Sequence, residues 1–126
     1  MTAMVTVAHV TGDVLPLEMC HEVAWFIARN LGCEVAAADV ARCHMVLLAR
    51  CKVTTSLAAV VVLKQAHDHH SVITHHIDWL CVSSNHRGNG IGSRLVAGVP
   101  TLVPAGAMVK AYVARNAEHD RAVFFY

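Results

Sequence analysis

The residues best placed to do chemistry lie between His76 and Ser93. The apolar run Leu80-Cys81-Val82-Ser83 breaks into Ser84-Asn85-His86-Arg87-Gly88-Asn89-Gly90-Ile91-Gly92 and resumes as Ser93-Arg94-Leu95-Val96. A strand that feeds a glycine-rich turn at a helix start is a phosphate cradle. Successive backbone N–H groups converge there, and the helix dipole favours an anion. Glycine supplies positive φ without steric cost and lets the ligand approach the backbone. The loop lacks the Gly-Lys-Ser/Thr ending of a P-loop. Its glycines at 88, 90 and 92 also do not spell the Gly-x-Gly-x-x-Gly of a dinucleotide site.

Upstream, His76 and Asp78 are spaced by two. Regular strand alternation puts His76, Asp78, Leu80 and Val82 on one face, and His75, Ile77, Trp79 and Cys81 on the other. Imidazole is the side chain suited to take a proton near neutrality. His76 is therefore the candidate base, and Asp78 a carboxylate able to orient it. Cys81 has no base partner in the sequence and reads as a packed thiol. His67, His69, His70, His75 and His76 cluster around one turn. Adjacent strand histidines point to opposite faces, and no thiolate or carboxylate pattern completes a metal set, so a solvated hairpin end is expected.

The elements that must position these groups follow from periodicity. Met4–Val10 alternates as a strand. Asp13 is a candidate helix N-cap, and apolar residues at helical spacing run from Leu17 to Leu31, with Gly32 as the stop. Glu34–Arg42 is compatible with a short helix. Met45–Cys51 and Leu57–Gln65 form a hairpin about Thr54-Thr55-Ser56, and Val72–Ser83 is the third strand of a meander. After the loop a helix runs to about Val99, limited by Pro100 and Pro104. Ala107–Ala114 reads as a strand and Asn116–Tyr126 as a last helix. The order β-α-(α)-β-β-β-α-β-α predicts an α/β (α+β) fold, a mixed and mostly antiparallel sheet covered by helices.

At 126 residues the chain is expected to be one domain over 1–126. Apolar residues make up 56% and charged residues 15%, with net charge +1. That balance argues against a nucleic-acid partner or a polybasic membrane patch. The longest apolar run, Leu57–Leu63, is too short to span a bilayer, and no signal-peptide pattern opens the sequence. Five cysteines without C-x-x-C pairs imply a reducing compartment, cytoplasmic or nuclear.

The loop Arg87-x-x-Gly90-x-Gly92, its place after a three-strand meander, and Asn116 followed by Ala122-Val123-Phe124-Phe125-Tyr126 resemble the GNAT superfamily of N-acetyltransferases. The resemblance implies acetyl-CoA as cosubstrate and direct acetyl transfer to a primary amine. It places the pantetheine along Leu80, Cys81, Val82 and Ser83. The pyrophosphate falls on Arg87, Gly88, Asn89, Gly90, Ile91, Gly92 and Ser93, with Asn116 also facing the cofactor. Tyr126 becomes the candidate proton donor to the departing thiolate, and no metal is implied. The sequence ends at Tyr126, where the family continues into two further strands. The expectation is a truncated sheet whose fifth-strand edge calls for a second copy or another partner. The rival function is a non-catalytic acyl-CoA-binding module completed by that partner.

Overall fold

The computed structural model describes residues 5–67, 73–103 and 108–111. Strand β1 (Val5–Thr11) leads through a 3₁₀ turn (Gly12–Val14) to helices α1 (Leu17–Leu31) and α2 (Ala37–Ala41). Strands β2 (Met45–Cys51), β3 (Leu57–His67) and β4 (Ile73–Val82) follow, then α3 (Ile91–Leu102) and β5 (Met108–Ala111). The sheet order is β1-β2-β3-β4-β5. The first three pairings are antiparallel, and β4 pairs with β5 in parallel from Thr74↔Met108 to Ile77↔Ala111. The expected mixed sheet is therefore the observed one. The proposed last helix, with Asn116 and Tyr126, lies outside the described residues.

Helices cover both faces. Cys20, Val23, Phe26 and Ile27 of α1 and Val40 of α2 pack on Val46, Leu48, Val60, Val62 and Cys81. On the other face Ile91, Leu95, Val96 and Val99 of α3 meet Leu47, Val61, Leu63 and Ile77. β3 lies between both layers, which is why Leu57–Leu63 is apolar without alternation and buried throughout. Burying an aliphatic side chain of this kind contributes about 1.5–3 kcal/mol, so the two layers hold the frame on which β4 sits.

Two local expectations change. Asp13 is not the N-cap of α1: it lies in the 3₁₀ turn, and Pro16, in extended conformation, precedes the helix. Packing at Gly12 sets this entry. Its N–H donates to His44 O at 2.8 Å, and a Cβ there would collide with the Cys43 carbonyl oxygen. The helix exit follows expectation. Gly32 adopts φ 68° and donates its N–H to Ala28 O. At α3 the helix runs through Pro100 to Leu102 and does not stop at Val99. Pro100 stands in the last turn, and its missing N–H leaves the Val96 carbonyl without a helical donor.

Candidate functional site at the end of strand 4

Gly88 and Gly90 adopt φ 85° and 74°, in the left-handed region that other residues enter at a cost of about 1–2 kcal/mol. Gly90 is the N-cap of α3, and no side chain caps the helix. Ile91 is buried in the α3-side core and anchors the first turn, while Ser93 and Asn89 are exposed. Gly92 has a different role. A Cβ there would stand 3.0 Å from Val82 Cγ2, so its absence lets α3 press against β4. Each glycine thus has its own physical reason, and the uncapped N–H groups of the first turn remain for an anion.

Arg87 turns back onto the protein. Its Nε donates to Val82 O at 3.2 Å and an Nη to Asn30 O at 3.4 Å, tying the loop to the end of α1. The side chain braces the cradle and leaves phosphate contact chiefly to the backbone.

Strand β4 presents fewer edge groups than its sequence suggests. Ser83 N–H donates to Ala58 O on β3. Alternation then turns the polar groups of Ser83 and Cys81 toward β3, and those of Val82 and Leu80 toward the opposite edge. The described pairing with β5 ends at Ile77. Of Leu80, Cys81, Val82 and Ser83, only Leu80 and Val82 aim backbone groups at that edge, and the Val82 carbonyl already accepts from Arg87. Cys81 is buried, and burial pushes its thiol up to about 12, so it supplies no thiolate.

A bulge corrects the expected facing of the upstream residues. The β3–β4 register steps from Val62↔Trp79 to Leu63↔Ile77, leaving Asp78 without a backbone register partner on β3. One extra residue resets the alternation. Ile77 packs in the α3-side core with Leu80 and Val82, while Trp79 and Cys81 pack under α1. His76 therefore lies on the α1 side and does not share a face with Leu80 and Val82. Its Nε2 and Thr74 Oγ1 are 2.9 Å apart. The Asp78 carboxylate meets Lys64 Nζ at 3.1 Å, an ion pair that occupies the group expected to orient His76. Lys64 stands opposite His76 across the ladder, a neighbour that only the register reveals.

His75 was not singled out by spacing. It is 1% exposed; the Gln65 amide nitrogen lies 3.2 Å from its Nε2, and its Nδ1 has no hydrogen-bond partner. With the amide donating, the neutral ring carries its proton on the orphaned Nδ1. Burial, then the neighbouring His44 and His76, lower its pKa and favour the neutral ring. The tilted His44 ring lies 5.2 Å away. His69 and His70 lie outside the described residues. Among the described residues no group of three or more metal-ligating side chains comes together, and no helix is long and apolar enough to cross a membrane.

Fold neighbours agree with this arrangement. An aminoglycoside acetyltransferase from an uncultured soil metagenomic sample superposes with TM-score 0.69 at 18% identity, covering 94% of this chain and 85% of its own. A second such enzyme from an uncultured soil metagenomic sample, in complex with sisomicin, gives 0.70 at 11% identity, covering 94% and 82%. The ribosomal-protein-alanine N-acetyltransferase of Brucella melitensis biovar Abortus 2308 gives 0.64 at 21%, covering 95% and 87%. No curated protein matches the sequence. The model of the acetyltransferase (GNAT) family matches residues 17–126. With the glycine cradle, the meander and the parallel β4–β5 pair all in place, this chain belongs to the GNAT acetyltransferase family.

Proposed function

We propose that this chain, acting as a single domain, transfers an acetyl group from acetyl-CoA directly to a primary amine. The observation that carries the reading is the uncapped N-terminus of α3 behind Gly88 and Gly90 at positive φ. It is a backbone anion site suited to the pyrophosphate of the donor. Leu80, Val82, Gly88, Asn89, Gly90, Ile91, Gly92 and Ser93 hold the donor through main-chain groups, and Asn116 is proposed as a further donor contact. Arg87 braces the loop.

In the step itself a neutral amine attacks the thioester carbonyl. The new C–N bond forms, the C–S bond breaks, and the amine proton passes to His76. Leu80 N–H, on the edge of β4 away from β3 next to the bulge, is the proposed donor to the developing oxyanion. Tyr126 is proposed to protonate the departing thiolate. Asp78, through its pair with Lys64, sets the charge beside His76, which stands opposite Lys64 across the ladder. The free thiols, with no disulfide among them, suit a reducing compartment such as the cytoplasm.

Calorimetry with acetyl-CoA, followed by thiol release with an amine panel, tests the proposal. The panel should hold aminoglycosides and peptides that begin with alanine, because similar structures are named as aminoglycoside and ribosomal-protein-alanine acetyltransferases. Binding with amine-dependent thiol release is expected. Absence of binding defeats the reading, and binding without turnover on any amine leaves an acyl-CoA-binding module in its place.

A further inference from the structure

Strand β1 forms one edge of the sheet, and among the described residues nothing pairs with its outer side. An open edge is a template for another strand, and folded proteins usually blunt it with Lys, Pro, a bulge or a covering segment. β1 lacks these devices. It reads Val5-Thr6-Val7-Ala8-His9-Val10-Thr11, without Lys, Arg, Asp, Glu or Pro. Its register with β2 runs from Val5↔Cys51 to Thr11↔Met45 without a step. Thr6, Val7, Ala8 and His9 are all exposed, so the helices cover neither face of the strand's middle. The opposite edge strand, β5, carries Lys110.

The phase of the ladder fixes which groups this edge offers. Gly12 stands opposite His44, one step beyond Thr11↔Met45, and donates its N–H to His44 O. Alternation then turns the main-chain groups of Thr6, Ala8 and Val10 toward β2, and those of Val5, Val7, His9 and Thr11 outward. The outward set is its own complement. A two-fold axis at Ala8 pairs Val5 with the partner's Thr11 and Val7 with the partner's His9, so every outward N–H and C=O is used. An axis at Val7 leaves Thr11 with no opposite residue in β1, and an axis at His9 sets two imidazoles against each other. A strand without a charged carboxylate, ammonium or guanidinium also offers nothing to select an acidic or basic peptide. Val14 and Val53, 65% and 78% exposed, lie at opposite ends of β1. Val14 comes just past Thr11, and Val53 follows Cys51, which faces Val5. Antiparallel pairing brings the Val14 end of one copy to the Val53 end of the other, adding apolar cover at both ends.

We propose that β1 pairs antiparallel with β1 of a second copy of this chain, about a two-fold axis at Ala8, joining two sheets into one. β4 and the glycine cradle lie toward the far edge, clear of the contact.

Sedimentation velocity across a concentration series, with Val7→Pro and Ala8→Cys, tests the pairing. Wild type is expected to pass from monomer to dimer as concentration rises. Val7→Pro removes an outward N–H and no bond to β2. It should keep the wild-type circular dichroism and weaken the dimer about tenfold or more. Ala8 and the partner's Ala8 form a non-hydrogen-bonded pair, with Cα atoms about 4.5 Å apart, within disulfide reach. Ala8→Cys should therefore cross-link two copies under mild oxidation. Wild type, with its native thiols, should not, nor should Thr6→Cys, whose thiol faces the partner's Val10. A wild type that stays monomeric at every concentration overturns the second copy and leaves the edge to a different strand. A folded Val7→Pro that dimerises like wild type, or an Ala8→Cys that gives no cross-link, overturns this pairing and moves the contact to another surface. If Val7→Pro fails to fold, the cross-link decides alone.

Discussion

The two ends of β4 were built by different rules. At its C-terminal end the chain passes into a loop whose shape is set residue by residue, with Gly88 and Gly90 at positive φ and Gly92 clearing Val82. Upstream of Leu80 the facing of His76, Asp78 and Trp79 is set by a slip of register against β3. At the first end a change of residue type at Gly88 or Gly90 is strained by the local backbone whatever surrounds it. The second tolerates many residue types, yet its geometry exists only as part of a ladder. A cofactor cradle can thus be written locally, while the placement of a candidate base is a property of two strands together.

Deletions break this comparison most sharply. Removing Asp78 takes out the residue without a register partner and leaves Ile77, Trp79, Leu80, Cys81 and Val82 alternating on the faces they already occupy. That variant should fold, with loss of acetyl transfer. Removing Leu80 reverses the faces of Trp79 and everything before it and should abolish folding, as circular dichroism and thermal melts would show. If both deletions fold alike, the bulge does not set the register.

The next effect is chemical. His76→Ala should lower kcat by about 10²–10⁴-fold, the range for loss of a general base, while acetyl-CoA affinity stays unchanged. A variant that instead loses affinity and keeps kcat moves His76 from proton transfer to binding. At the other end of the strand the split should invert. Gly90→Val forces a β-branched residue to φ 74°, at a cost of about 1–2 kcal/mol. It should weaken acetyl-CoA by about tenfold or more with little effect on kcat once donor is saturating.

The smallest effect concerns neither end. Glu22 holds Arg50 through paired hydrogen bonds, and the bonds from Arg50 lower its pKa. Both side chains are partly exposed, so Glu22→Gln should cost about 1 kcal/mol or less in denaturant unfolding. The sign is set by linkage. A carboxylate whose folded pKa is depressed stabilises the fold above its unfolded pKa, about 4.3, and that contribution fades as pH falls through the lower folded value. The variant should therefore lose its deficit in strong acid. His75 acts in the same direction at higher pH. Its lowered pKa means that the unfolded chain takes up a proton first as pH falls below about 6.5, so stability declines there, and His75→Leu should flatten that slope.

Much of the frame was legible because its signals are short-range. The apolar spacing of α1, its stop at Gly32, the bounds of β2 and the glycine loop all depend on neighbours within a turn or two. Where reading failed, the cause lay far along the chain. Asp13 lost its capping role because Gly12 is pinned to His44. The pairing of Asp78 with Lys64 needs β3 beside β4. Four strand residues looked equivalent as cofactor contacts until the Ser83 to Ala58 bond showed which of them turn outward.

By itself the amino-acid order determined the element sequence, the two buried layers and the anion-binding turn, since propensity, periodicity and positive φ act within a few residues of one another. Tertiary structure alone decided which face His76 occupies, which β4 groups turn away from β3, and that Trp25 and Arg29 border the same loop. Those relations join residues far apart in the chain, and only the ladder register and the packing of α1 over the sheet bring them together.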